Sequence, residues 1–436
     1  MHLRGYLEME LIVYENFTNK VAFNNQKELE ELLELGEFIK SKLGINDNPF
    51  KYVGNGLLYV SGIVGSLKCG DTTISILPKY RPQTISVELY LEKLLDRTVI
   101  CSCENIDKTI FYNKKSSTQS DDCIYDILGK LFYKSLADAL RINLISTNVD
   151  MISKTDIIKG KVLVQKQIAE VVFDGKIWCK HKRITNDNLY NKLLCWAGDF
   201  LSLNVTDLIL SRSLRALSNR LNVKYDTLAV NDVKKMILPR KYNEYKICFE
   251  IAKNLFLKRK NLEGFQLRGT EITGFAIVMH RAFEYIVGHY VGMVARELGI
   301  NHYQQASRLL AKENSGSKLD YYVRPDNILF AGAKHFVLDA KYKVLSYQDY
   351  NNNKPKNTDI YQMICSCIAC HCSEAVLIYP VTYGFPAASW NTDVDVNGKK
   401  INVKNVAVDI IKDEDNLKED ILDIIKNTSF YLEMRR

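Results

Sequence analysis

The 436-residue chain contains no run of about 18 apolar residues, the length a helix needs to span a bilayer. Its richest stretch, "MICSCIACHCSEAVLIYP", is interrupted by His371 and Glu374, so a transmembrane helix is not expected. The opening residues, "MHLRGYLEMELIVYENF", are mixed and charged and lack the pattern of an export leader. The expected location is the cytoplasm, where the eleven unevenly spaced cysteines stay reduced. No GxxxxGK[ST] phosphate loop occurs. "GSLKCGDTT" has glycines and threonines but not the Lys-Ser/Thr pair in place, so the chain is not expected to hydrolyse nucleotide by itself. There is no internal repeat and little low complexity, which points away from a repeat array.

What is present is an ordinary globular composition, 47% hydrophobic and 25% charged. The length suffices for two or three domains with proper cores. A net charge of +8 biases the chain toward anionic partners; this fits nucleic acid without singling it out.

Along the chain, "NQKELEELLELGEFIKSKLG" (25–44) predicts a charged amphipathic helix closed by Gly44. "LLYVSGIVGSLKCGDTTISILPKY" (57–80) alternates and carries turn glycines, which predicts short strands. Helices are expected over 85–99 and 123–142, with a long exposed loop between them at 103–122. From about 165 to 265 the pattern is mainly helical. The last part begins with "ITGFAIVMHRAFEYIVGHYVGMVARELG" (272–299), read as one long apolar helix. Two strands, a helix, the strand "EAVLIYPV" (374–381) and a charged tail follow. That order predicts an α/β arrangement around a mixed sheet.

The chemistry concentrates in "RPDNILFAGAKHFVLDAKYK" (324–343), a predicted hairpin. With "AGAK" (331–334) as a two-residue turn, Gly332 takes the position that a type II′ turn reserves for glycine. Pairing then puts Asp326 opposite Asp339, and alternation places Lys341 on the face of Asp339. Like charges directly opposite, with Cβ atoms roughly 5 Å apart, are destabilising and need compensation. Two such carboxylates suit Mg²⁺, which keeps several waters and can lower the pKa of one of them. A neighbouring ammonium can position that water or offset charge developing on a phosphate. The set suits phosphodiester hydrolysis. The plain reading is an exposed hairpin whose charges pair across the surface; against it, "FVLDA" is an apolar strand, and an acid embedded there requires a partner.

These residues resemble the PD-(D/E)xK nuclease signature: Pro325-Asp326, then Asp339-Ala340-Lys341. "HRAFEYIVGHYV" looks like the helix that donates an upstream Glu, here Glu284. "KPKNTDIYQMICSCIA" looks like the helix carrying the glutamine of a Q-x-x-x-Y motif, here Gln362, with Ser366 where a Tyr is often found. Together with Gly62, Gly65 and "ISILPK", the central segments "KGKVLVQKQI" and "CKHKRITNDNLYNKLL", and the "RPD…DAKYK…DIYQM" core, the pattern is similar to the McrC family. That family is the nuclease subunit of McrBC-type, modification-dependent restriction systems.

The resemblance implies an α+β and α/β multidomain chain: an N-terminal mixed β/α motor-binding domain (1–164), a helical linking region (165–264) and a restriction-endonuclease-like α/β core with a mixed sheet (265–436). It implies Mg-dependent DNA cleavage for anti-phage defence, with Mn²⁺ as a substitute ion. Asp326, Asp339 and Glu284 would bind the metal, Lys341 would help the attacking water and Gln362 would support the site. The implied partners are a McrB-like AAA+ GTPase or ATPase, expected as a hexameric ring whose hydrolysis the chain stimulates, and modified double-stranded DNA; no membrane is implied. A catalytically degenerate activator of the motor and a stand-alone nuclease are the alternatives.

Other candidates have blander readings. Cys365, Cys367 and Cys370 point in different directions at about 100° per residue and lack a second ligand pair, so small core residues are expected there. Cys179 with His181 is a weak metal signal. Lys343 is either a phosphate contact or a solvent-facing lysine.

Overall fold

The computed structural model describes residues 9–23, 26–69, 72–78, 85–101, 109–113, 122–170, 173–258, 266–267, 270–312, 320–343, 355–381, 390–396 and 398–435. The chain forms two compact units, Met1–Lys115 with Gly264–Arg436, and the inserted Ser116–Glu263. No helix among the described residues is long and apolar enough to cross a membrane.

The first unit opens with β1 (Met9–Tyr14), α1 (Gln26–Leu43), β2 (Ile63–Cys69), β3 (Thr72–Leu77), α2 (Val87–Cys101) and β4 (Ile110–Asn113). After the insertion come β5 (Thr270–Val278) and α3 (Met279–Glu297). β1 lies parallel to β3, β3 antiparallel to β2, and β5 pairs antiparallel with both β2 and β4. Alternating apolar residues of these strands close on α1: Leu11, Val13, Ile63, Leu67, Ile74 and Ile76 pack with Leu35 and Ile39, and Ala276 and Val278 of β5 join them. Gly44, just past α1, has φ 59, the left-handed C-terminal stop that glycine favours.

Two expectations change here. The helix read over 272–299 starts only at Met279; its first residues are β5. A short apolar run has no period that separates strand from buried helix, and what decides it is pairing with β2. Gly274 has φ 103, and a Cβ there would stand 2.2 Å from the Ser66 carbonyl oxygen. The expected loop 103–122 contains β4, while its residues 103–108 and 114–121 lie outside the described ones. Gly274→Ala should therefore cost about 1–3 kcal/mol through backbone strain and overpacking. A urea titration would show a lower midpoint at unchanged slope; an unchanged midpoint would mean the strand yields freely.

The rest of this unit is built on a second sheet. Its elements are β6 (Asn301–Gln304), β7 (Asn327–Ala331), β8 (Lys334–Ala340), α4 (Asn357–Cys370), β9 (Glu374–Pro380), β10 (Trp390–Val396), β11 (Lys399–Val408) and α5 (Glu414–Lys426). Among the described residues the strand order is β6-β7-β8-β9-β11-β10. β8, β9 and β11 run parallel and the other pairs antiparallel, which makes the sheet mixed. β9 is buried at every position, as a strand covered on both faces must be. Met363, Cys367 and Cys370 of α4 pack on Ile328, Val337, Leu377 and Ile401, so these thiols serve as small core side chains. The charged tail beyond 381 is in fact structured: it supplies β10, β11 and α5.

The inserted unit holds the helices Asp122–Ile142, Leu189–Asn204, Leu208–Leu221 and Lys246–Lys258. Their buried Phe132, Leu193, Leu201, Leu214, Phe249 and Phe256 lie on the inner faces. A ribbon of Thr147–Thr155 and Ile177–Thr185 pairs antiparallel along its length. The compact units divide the chain at 115/116 and 263/264, away from the expected 164/165 but one residue from the expected 264/265, with the first and last parts joined in one unit. The expected 164/165 boundary falls inside that ribbon's sheet, and the expected 264/265 boundary separates β5 from the strand and core that complete it.

Candidate active site

The hairpin has the register that its turn dictates. Ala331 pairs with Lys334 and Asn327 with Leu338, and Gly332 takes φ 61 at the turn. One residue further out, Asp326 meets Asp339. The Asp326 amide donates to Asp339 Oδ1 at 3.4 Å, and the Ala340 amide donates to Asp326 Oδ2 at 2.8 Å. Asp339 is 1% exposed. Its Oδ2 is buried and accepts no hydrogen bond of good geometry among the described residues; the Lys341 ammonium forms an ion pair with it instead. The Lys341 amide donates to Ile378 O at 2.8 Å, which places the lysine just past the end of β8.

Glu284 reaches the pair from the second turn of α3. It stands beside Asp326 and accepts from Gln305 Nε2. Burial first, and then the Asp339 charge, push its carboxyl above the usual range. Asp326 is pushed up to about 8, by burial and then by the charges of Asp339 and Glu284. Burial works against the Lys341 ammonium, but Asp339, at contact distance, outweighs it and the net shift is upward. Without a further cation, then, Asp326 holds a proton near neutrality and Lys341 stays charged.

That shift has a sign in stability. The folded-state pKa of Asp326 lies above the ordinary 3.8, so its contribution is complete below that value and is lost as pH climbs through about 8. In buffer free of divalent ions, the melting temperature should fall across this window, and Asp326→Asn should remove that part of the slope. Equal slopes for the two proteins by scanning calorimetry would contradict the arrangement.

Three residues not foreseen in the sequence complete the site. Gln305 adopts φ 51, a left-handed conformation uncommon for a residue with a side chain. Its amide N donates to Asp326 O at 2.8 Å, and its side chain links Glu284 to Arg324, whose Nη2 donates to Gln305 Oε1 at 2.8 Å. Asp359, 2% exposed in the first turn of α4, pairs with Lys343 Nζ at 2.6 Å and accepts from Tyr379 Oη at 3.1 Å. Burial, with Asp359 adding to it, drives the Tyr379 hydroxyl well above its usual range. Lys343 is thus tied to a buried acid and does not simply face solvent. Gln362, one turn beyond Asp359, is exposed, and no side-chain hydrogen bond joins it to the acids among the described residues. The acid in "DIYQM" was the available signal for Asp359; Gln305 and Arg324 carried none, since both act through a chain reversal.

The donor set fits a hard divalent ion: two carboxyl groups brought face to face and a third acid alongside. Among the described residues no three His, Cys, Asp or Glu side chains already converge as a ligand cluster. Protein ligation would accordingly rest on Asp326 and Asp339, consistent with an ion that uses one or two carboxylates and keeps its waters, with Glu284 held beside them.

A family model described as "McrBC 5-methylcytosine restriction system component" matches residues 58–380. Among solved structures, the chain is similar to one from a refined half-complex of a tetradecameric assembly of Thermococcus gammatolerans McrB AAA+ hexamers with bound McrC. The TM-score is 0.53 at 16% identity, over 96% of this chain and 100% of that one. A chain of the cryo-EM structure of the Thermococcus gammatolerans McrBC complex aligns with a TM-score of 0.41 at 15% identity, over 66% of this chain and 88% of that one. No curated protein matches.

Proposed function

The chain belongs to the McrBC 5-methylcytosine restriction system component family, and from that premise we propose that it is the DNA-cutting subunit of such a system. One observation carries the reading: the buried Asp326–Asp339 pair, with Lys341 on one carboxylate oxygen. A pair of acids forced together in a sheet and left partly unneutralised is a liability without a cation and a metal-binding device with one.

Asp326 and Asp339 would hold Mg²⁺, or Mn²⁺ in its place, assisted by Glu284. Bound there, the ion supplies Lewis-acid polarisation of a phosphate and a more acidic water. Lys341 contributes as a cation, because Asp339 keeps it protonated; it orients the attacking water or offsets phosphate charge and is not a base. Gln305 and Arg324 keep Glu284 turned toward the pair. Lys343, pinned by Asp359, adds positive charge where a DNA backbone would pass. This is the PD-(D/E)xK type of site on a mixed sheet.

The partner in this reading is a McrB-like AAA+ GTPase or ATPase that forms a hexameric ring and is stimulated by this chain. The solved McrC of similar fold is bound to McrB hexamers, which supports it. The substrate is modified double-stranded DNA.

Incubation of the full chain with such a partner, nucleoside triphosphate and methylated DNA should give cleavage with Mg²⁺ or Mn²⁺ and none after chelation. Cutting that persists in EDTA would remove the metal site. Hydrolysis stimulated without any cutting would leave an activator in place of a nuclease.

A further inference from the structure

Three consecutive side chains after β8 each end on a buried carboxylate. Lys341 pairs with Asp339, Tyr342 Oη donates to Glu15 Oε2 at 2.8 Å, and Lys343 meets Asp359 at 2.6 Å. Asp339 and Glu15 are 1% exposed and Asp359 is 2% exposed. Asp339 and Asp359 belong to the site already described. Glu15 does not: it follows β1 in the N-terminal sheet, where its amide donates to Leu77 O at 2.8 Å and its backbone bridges to Val60. Its carboxylate is therefore presented by a backbone fixed on two sides.

The Tyr342 ring also packs against Phe283, with centroids 5.9 Å apart, and Phe283 is the residue before Glu284. Tyr342 thus touches the neighbour of one acid while it sits between the two lysines. The segment needs such an anchor. Past Ala340 the β8 ladder has ended; among the described residues the segment keeps backbone bonds from Lys341 N to Ile378 O and from Lys343 N to Lys341 O, each 2.8 Å. The hydrogen bond from Tyr342 to the buried Glu15 carboxyl adds a side-chain fixed point to these backbone bonds.

Resting on the nuclease reading above, we propose that Tyr342 and Glu15 are positioning residues of the cutting reaction, acting through Lys341 and Lys343. Neither touches the reacting atoms. Their hydrogen bond sets where the two ammonium groups stand, and it makes a residue of the N-terminal sheet part of the support of the site. A ring that only packed on Phe283 would do its work equally well without the hydroxyl, which is the point of discrimination.

The experiment uses the full chain with its AAA+ partner. Tyr342→Phe and Glu15→Ala should each lower kcat for DNA cleavage about tenfold to a hundredfold at unchanged KM, the scale of a small misplacement of a catalytic group. Glu15→Gln, whose amide oxygen still accepts from Tyr342, should stay within about threefold of wild type. In parallel, hydrogen exchange of the peptide spanning 339–343 should quicken in Tyr342→Phe and Glu15→Ala and stay slow in Glu15→Gln. Wild-type kcat in Tyr342→Phe overturns the proposal, whether or not exchange changes. Unchanged exchange overturns the anchor even if the wild type itself does not cut, an outcome that would separately remove the nuclease reading.

Discussion

Asp339→Asn should abolish DNA cleavage, by about 10³-fold or more, because it removes several kcal/mol of charge stabilisation at the proposed metal site and each ~1.4 kcal/mol is tenfold. The substitution is nearly isosteric. The amide keeps an oxygen at the Oδ1 position for the Asp326 amide, so the hairpin register survives. What goes is the charge that faces Asp326 and holds Lys341. The fold should survive, since the hairpin register is kept, and stimulation of the partner motor should be retained. Gel assays on methylated DNA, with melting curves alongside, would read both. Cleavage at the wild-type rate, with contaminating nuclease excluded, would remove the site assignment.

Lys341→Met should lower cleavage by about 10²–10³-fold, the usual loss when one preorganised donor to developing charge is deleted. It carries a stability signature that Asp339→Asn lacks. Lys341 and Asp339 are 15% and 1% exposed at their side chains, and breaking a buried pair by removing one partner costs about 3–5 kcal/mol. The Asp326 carboxyl, which the Lys341 charge now holds down, would then titrate higher still. The variant should be markedly less stable than wild type near neutrality, and the gap should narrow as pH falls. Mg²⁺ should restore stability at neutral pH without restoring the rate. Lys341→Arg should not rescue cutting, because a planar fork replaces a point charge. A destabilisation independent of pH would mean that Lys341 contributes packing alone.

The parts of this site readable from sequence were those set by local rules. A two-residue turn with glycine at its first central position fixes register, and the period of two then carries Asp326 to Asp339 and sets the face of Lys341. The helix that bears Glu284 was legible in type but not in extent, because β5 and the start of α3 form one apolar run. Gly274, with its positive φ, was the residue that argued against helix. Asp359 was overlooked in favour of Gln362, although a buried acid beside two lysines is the stronger electrostatic partner. Gln305, Arg324 and Glu15 could not be reached by spacing: the first two meet Glu284 and Asp326 through a left-handed residue, and the last lies more than 300 positions from Tyr342. The domain boundaries were hidden for the same reason. β5 completes a sheet in which four of the other strands lie in the first 113 residues.

The inserted unit departs after β4 and returns before β5, and those two strands are neighbours, with Asn113 opposite Gly274. Topologically the excursion is the loop of a very long hairpin. Closing such a loop costs only about 0.6 kcal/mol more for each doubling of its length. The scaffold that carries the acids is therefore nearly indifferent to how much chain is grafted between these strands. Lengthening, shortening or exchanging that graft leaves every rung of the supporting ladder in register, so graft and scaffold can evolve at different speeds.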